Sequence, residues 1–269
     1  MKPPSVDALR QQLQDARIAG AVATPRENNL DKYRMFAAGR AKASFGLESS
    51  RSWSVDDLVA LMARKAGVSA DPDYRRGADR IDPDLTIGAL TRMAAHLAVA
   101  AGPGRRVIAA TGHPAGLLAV HLPLARALAA AGTEILTPAN GWTYELTTHN
   151  GLVTREIRYV GDVAMVSTRG ELNHTHSPRP MQAILAELAA AGADPPDLVL
   201  ADHGWAGAAG QAGITSVGFA DSNDPALFVG EHEGKVAVAV PLDDNVAPHL
   251  YAPLTAFLMH AAGLDPGLA

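Results

Sequence analysis

Four stretches beyond residue 102 end in residues that can move a proton or ligate a cation. Val107–Thr111 leads into Gly112-His113, Leu198–Ala201 into Asp202-His203, Val217–Ala220 into Asp221-Ser222-Asn223-Asp224, and Val236–Val240 into Asp243-Asp244-Asn245. Each run is apolar before its tip, as a buried strand is. In an open parallel sheet the carboxyl ends of the strands share one edge, and ligands bind in the crevice there. Imidazoles and carboxylates concentrated at such an edge describe an enzyme with a polar site on a rigid sheet.

Each tip has its own chemistry. Thr111-Gly112-His113-Pro114-Ala115-Gly116 joins a strand to a helix, where free N–H groups and the helix dipole favour phosphate or carboxylate. Gly112 and Gly116 would let a substrate approach the backbone, and His113 would protonate a departing oxygen. The plainer reading is an ordinary tight turn with His113 as N-cap, since neither the P-loop lysine nor a full Gly-x-Gly-x-x-Gly is present. In His174-Thr175-His176, residues two apart in an extended segment point the same way, so both imidazoles could face one ion. Capping of the next helix, or contact with a substrate anion, is the alternative. Asp202 ends a strand, and a buried carboxylate requires a metal, a cation or donors facing it. It is a candidate catalytic group and metal ligand, His203 a candidate acid–base group, and Gly204 a candidate point of substrate contact. The oxygen-rich run from Asp221 to Asp224 suits a hard divalent cation, with Asp221 and Asp224 as ligands, or an Asx turn ahead of Pro225. Asp243-Asp244-Asn245 poses the same choice and reads more readily as a surface cap. Arg26, Asn28 and Asn29 are candidate substrate contacts in a polar loop able to close over the crevice. His96, His121 and His260 sit on helices and read as structural.

Several hydrolytic chemistries are excluded. There is no cysteine, which removes thiolate nucleophiles, thiolate metal sites and disulfides. The Arg-His-Gly signature of histidine phosphatases and the Gly-x-Ser-x-Gly elbow are absent. An Asp-x-Asp-x-Thr match at Asp82–Thr86 follows residues 76–81, which do not read as a strand, and Pro83 suits a helix start. It is taken as accidental. Hydrolysis would then use cation-activated water or a His/Asp acid–base pair.

The elements that must position these groups divide at Gly102-Pro103-Gly104, a double breaker. Residues 1–102 read as a helical region, either a lid or a packing subdomain. Helices are expected after Ser5, after the capping-box residues Ser54–Asp57, and from Asp82-Pro83. Residues 103–269 read as an α/β domain carrying the site, a three-layer sandwich on a mainly parallel sheet. A hairpin is expected over 152–170, turning at Gly161-Asp162. With 48% hydrophobic and 19% charged residues the 269-residue chain is globular. A net charge of -5 without a basic face argues against nucleic acid. No run reaches the roughly 18 apolar residues of a membrane span, and Met1–Ser5 lacks a signal-peptide core, so a cytoplasmic location is expected.

The strings Ala110–Gly116, His174–Pro178, Ala201–Gly207, Asp221–Pro225, Val240–Val246 and Thr24–Asn29 together resemble a family of actinobacterial proteins described as phosphatases. The likeness extends over nearly the whole chain. It implies a phosphatase ahead of other hydrolases and adds no residue roles. The resulting expectation is metal-assisted hydrolysis of a small phosphomonoester metabolite, with Mg²⁺, Mn²⁺, Co²⁺ or Zn²⁺ as cofactor and self-association left open. A metal-free sugar-phosphate isomerase or lyase, and a non-catalytic phosphometabolite-binding protein, are the alternatives.

Overall fold

A computed structural model describes residues 3–148 and 151–264. Met1 and Lys2, part of the segment read for a signal peptide, lie outside them. The first hundred residues form α1 (Val6–Asp15), β1 (Gly20–Pro25), α2 (Arg26–Ala37), α3 (Ala41–Ser44), α4 (Val55–Lys65), β2 (Ala78–Ile81) and α5 (Pro83–Ala100). Three of these helices start on the expected caps. Ser5 accepts the Ala8 N–H, Ser54 and Asp57 form a reciprocal capping box, and Asp82 accepts the Asp84 N–H with Pro83 behind it. Caps of this kind contribute about 1 kcal/mol each.

Two expectations for this region are overturned. β1 and β2 pair antiparallel, Gly20 opposite Ile81, so residues 78–81 are a strand after all. They belong to a separate two-stranded sheet, however, and Asp82 is engaged in capping α5. The polar stretch after Pro25 is no loop but α2, whose buried residues are Arg26, Asn29, Leu30, Tyr33 and Phe36. Asn28 and Asn29 lie in its first turn.

The remaining chain forms β3 (Arg106–Ala110), α6 (Pro114–Ala130), β4 (Glu134–Ile135) and β5 (Thr143–Thr148). These are followed by β6 (Gly151–Val160), β7 (Val163–Thr168), β8 (Glu171–Asn173) and α7 (Arg179–Ala190). Then come β9 (Leu198–Asp202), α8 (His203–Gln211), β10 (Ser216–Ala220), α9 (Pro225–His232) and β11 (Val238–Pro241). A 3-10 turn (Pro248–Tyr251) leads into α10 (Ala252–Ala261). The main sheet has nine strands in the order β11-β10-β9-β3-β7-β6-β5, with β4 beside β3 and β8 beside β7. It is mixed rather than mainly parallel throughout. The pairings among β11, β10, β9, β3, β4 and β7 are parallel. Those of β5 with β6, β6 with β7, and β7 with β8 are antiparallel, because short turns such as Gly161-Asp162 reverse the chain locally.

Alternate residues along the parallel strands feed two apolar clusters. Ile108, Val199 and Ala201 pack with α2, α4, α7, α8 and α9, whereas Val107, Leu198, Leu200, Val217 and Phe219 pack with α1, α5, α6 and α10. Two neighbouring strands therefore send their following helices to opposite faces: β3 continues into α6 in the second cluster, β9 into α8 in the first. A crevice must open between the carboxyl ends of such a pair, the usual place for a ligand in an α/β sheet. No helix among the described residues is long and apolar enough to cross a membrane.

Candidate active site

Asp202 is the keystone of that crevice. It stands at the N-cap position of α8 yet makes no capping bond. Its side chain instead turns toward β3 and is fully buried. Oδ1 accepts the Gly112 N–H and the His203 Nδ1–H, at 2.6 and 2.7 Å. Oδ2 accepts the Thr111 hydroxyl at 2.6 Å and lies 3.1 Å from His121 Nε2. Burial pushes this carboxyl up, but the bonds from His121 and His203 outweigh it and hold the group ionised, well below the usual carboxylate range. Thr111 Oγ1 also accepts the His113 N–H at 3.0 Å, which sets the start of α6.

Fixing Nδ1 of His203 directs Nε2 outward, where it lies 3.3 Å from Asp224 Oδ2 and 3.4 Å from Asp244 Oδ2. Burial opposes its charge, but Asp202 and Asp224 raise it well above the ordinary histidine range. His203 also holds φ at +48°, a left-handed backbone that a side-chain-bearing residue adopts at a cost of about 1–3 kcal/mol. The strain sits at the residue around which the other groups gather.

The His174-Thr175-His176 segment crosses both strand tips. Thr175 donates its N–H to the Gly112 carbonyl at 2.8 Å, and the flanking imidazoles point together, Nε2 to Nε2 3.0 Å apart. His174 stacks on His113 at 4.6 Å between ring centroids and His176 on His203 at 4.8 Å. Burial, then the charge on His203, lowers His174 to about 4 and His176 to about 3, so both are neutral and able to ligate. His113 Nδ1 lies 3.2 Å from Asp244 Oδ1 without forming a hydrogen bond, and Asp244 raises its pKa against the effect of burial. Ligand atoms of His113, His174 and His203 lie within 4.8 Å of one another, as do those of His176, His203 and Asp224. Either group could hold a metal ion once His203 Nε2 gives up its proton, and His203 belongs to both.

The family follows from comparison with known proteins. The chain matches the Phosphatase family model over residues 4–266. The chain belongs to that family. A relative from Streptomyces coelicolor, named Phosphatase SCO2771, is 52% identical over 263 residues, spanning 97% of each chain. Membership makes this protein a phosphatase by family and a hydrolase by class.

Other residues singled out in the sequence are placed as follows. Asp221 is buried, with Thr24 and Ser222 bonded to its oxygens, and burial together with Asp244 and Asp243 raises it well above the carboxylate range. It belongs to neither ligand group. Asp243 caps its turn through the Asn245 N–H, but Asp244 is buried against His113 and His203, so the surface reading of that pair does not hold. Arg26 is buried in an ion pair with Asp79, and its Nε donates to the Tyr74 carbonyl. Asn29 binds Asp79 and Ser222, and Asn28 binds Asn223. These bonds seat α2 against the tip of β10. The N–H groups of Gly112 and His113 are bonded within the protein, so this turn does not present the free donors expected of a phosphate cradle. His121, taken for a structural residue, is the fourth donor to Asp202; nothing local in the sequence distinguishes it from a core position on α6.

Gly112, Gly116 and Gly204 share a role. A Cβ on them would lie 2.4 Å from the carbonyl oxygens of Thr175, Asp244 and His176 respectively. Their bareness lets the chain segments bearing the site lie against one another. Gly204→Ala would also press on the Ser177 carbonyl at 2.5 Å. Because backbone must move to relieve this, a loss of about 1–3 kcal/mol in stability is expected, read as a lower denaturation midpoint. An unchanged midpoint would mean that the 176–177 segment yields freely.

Proposed function

We propose that this protein hydrolyses small phosphomonoester metabolites with the aid of one divalent cation held by His176, His203 and Asp224. The observation that carries this reading is the gathering of imidazole and carboxylate atoms within 4.8 Å at the sheet crevice. The donor set fits a cation in two further respects. Asp244 Oδ2 is buried beside the cluster without a hydrogen-bond partner. The Asp202–His203 bond is the arrangement that orients a ligating imidazole from behind. Donors weighted toward imidazole suit Zn²⁺ or Co²⁺, and with a carboxylate Mn²⁺, ahead of Mg²⁺.

A cation bound there supplies Lewis acidity, drawing charge from phosphoryl oxygens and easing the ionisation of water. The protein's own groups do the rest. His113, raised by Asp244 at Nδ1, keeps Nε2 free to give a proton to the leaving alkoxide. Phe45 packs edge-on against His176 at 4.9 Å and fixes that ring, while His174 stays open to solvent. Elemental analysis of the purified protein, combined with phosphate release from a panel of phosphomonoesters under each cation, tests the reading. Release is expected with Zn²⁺, Co²⁺ or Mn²⁺, with loss on chelation and recovery on adding the ion back. Release that ignores chelation removes the cation from the scheme, and no release from any ester with any cation removes the phosphomonoesterase.

A further inference from the structure

A phosphate dianion entering this crevice meets the buried side chains of Asp202, Asp224 and Asp244. Positive charge at the entrance, in addition to a cation held within the cluster, would favour its approach. The amides of the 111–113 turn are bonded internally, so they do not supply it. Beside the cluster, a narrow cleft is lined by Lys32, Lys42, Met35, His176, Asn223 and Asp224. Lys32 lies on α2 and is half-buried, whereas Lys42 lies on α3 and is exposed. Neither ammonium makes a hydrogen bond or ion pair among the described residues. Asp31, next to Lys32 in the chain, is by contrast paired with Arg34. Arg155 donates from Nη1 to the His174 carbonyl, and its buried Nε has no hydrogen-bond partner among the described residues.

We propose that Lys32, with Lys42 beside it, is the phosphate-binding subsite, the two ammonium groups holding the non-bridging oxygens of the substrate's phosphoryl group at the mouth of the cluster. This rests on the phosphatase reading above. A lysine that only balanced the charge of Asp224 would have no reason to be accompanied by a second, unpaired lysine lining the same cleft.

The test measures inorganic phosphate binding by calorimetry, together with KM, kcat and metal content, for Lys32→Ala, Lys42→Ala, the double variant and Lys32→Arg. Charge-assisted contacts of this kind correspond to roughly ten- to hundred-fold in affinity. The double variant is expected to bind phosphate that much more weakly, with KM raised in step, a smaller change in kcat and full metal content. Lys32→Arg should retain most of the affinity. Unchanged phosphate affinity in the double variant would overturn the inference, as would a loss of metal large enough to account for the defect. A KM effect confined to substrates with a second acidic group, with phosphate binding intact, would also overturn it. If the wild type cleaves no ester yet binds phosphate through these lysines, the hydrolytic reading fails and the subsite stands.

Discussion

Replacing His203 by alanine is expected to lower kcat/KM for phosphomonoester hydrolysis on the order of 10³-fold, equivalent to about 4 kcal/mol of transition-state stabilisation. No other side chain belongs to both groups of ligating atoms. Its Nδ1 is fixed by Asp202 and its Nε2 faces Asp224 and Asp244, so truncation removes a ligand and leaves two carboxylates facing each other without an imidazole between them. A cation contributes several kcal/mol to phosphoryl transfer, and loss of its central ligand should forfeit most of that. Metal content should fall in parallel, and added cation at high concentration should restore only part of the rate. Steady-state kinetics and elemental analysis of the same preparations check this. A variant that keeps its metal and hydrolyses within tenfold of the parent would displace His203 from the centre of the scheme.

The strand tips could be read from sequence because apolar runs ending in His or Asp carry their signal locally. Val107–Thr111, Leu198–Ala201 and Val217–Ala220 have no other reason to stop where they do. The hairpin at Gly161-Asp162 was legible for the same reason. What the hairpin does to the sheet was not. β7 leaves it to lie parallel to β3, so an antiparallel arm is grafted onto a parallel core by pairing between distant segments. α2 is not legible as a helix in the sequence because Arg26 and Asn29 occupy its buried face and interrupt the apolar stripe of Leu30, Tyr33 and Phe36. They are tolerated there because Asp79, Ser222 and the Tyr74 carbonyl satisfy them, partners as much as 193 residues away.

Asp244 teaches the same lesson at the site itself. Two consecutive aspartates before an asparagine look like a solvated cap, and Asp243 does serve as one. They are buried because the segment before β1 and β1 itself cross the end of β11. The Asp243 N–H donates to the Ile18 carbonyl, and Asp243 Oδ2 accepts the Ala23 N–H from 220 residues away. Lys32 and Lys42 offered even less, since a lysine aimed at a cleft and one in open water look alike in a sequence. The chemistry at strand ends is therefore encoded locally, whereas the groups around it are assembled by tertiary packing.

Asp202→Asn separates these two layers of the site. An amide presents one acceptor oxygen where the carboxylate accepts from Thr111, Gly112, His121 and His203. The Gly112 N–H cannot turn away, so the amide oxygen must stay on the side of Gly112 and His203, with the nitrogen facing Thr111 and His121. The threonine hydroxyl can rotate to accept. His121 would have to accept at Nε2 and carry its proton on Nδ1, a buried atom with no partner. The stability loss should therefore arise at His121 and amount to about 3 kcal/mol, the lower end for breaking a buried charged contact. Hydrolysis and metal affinity should fall roughly 10- to 100-fold, as for the loss of a carboxylate behind a ligating histidine, because the His203 bond survives but loses its charge. Adding His121→Phe should recover part of the denaturation midpoint and none of the activity. If activity returned with stability, Asp202 would be acting through the fold alone and not through His203.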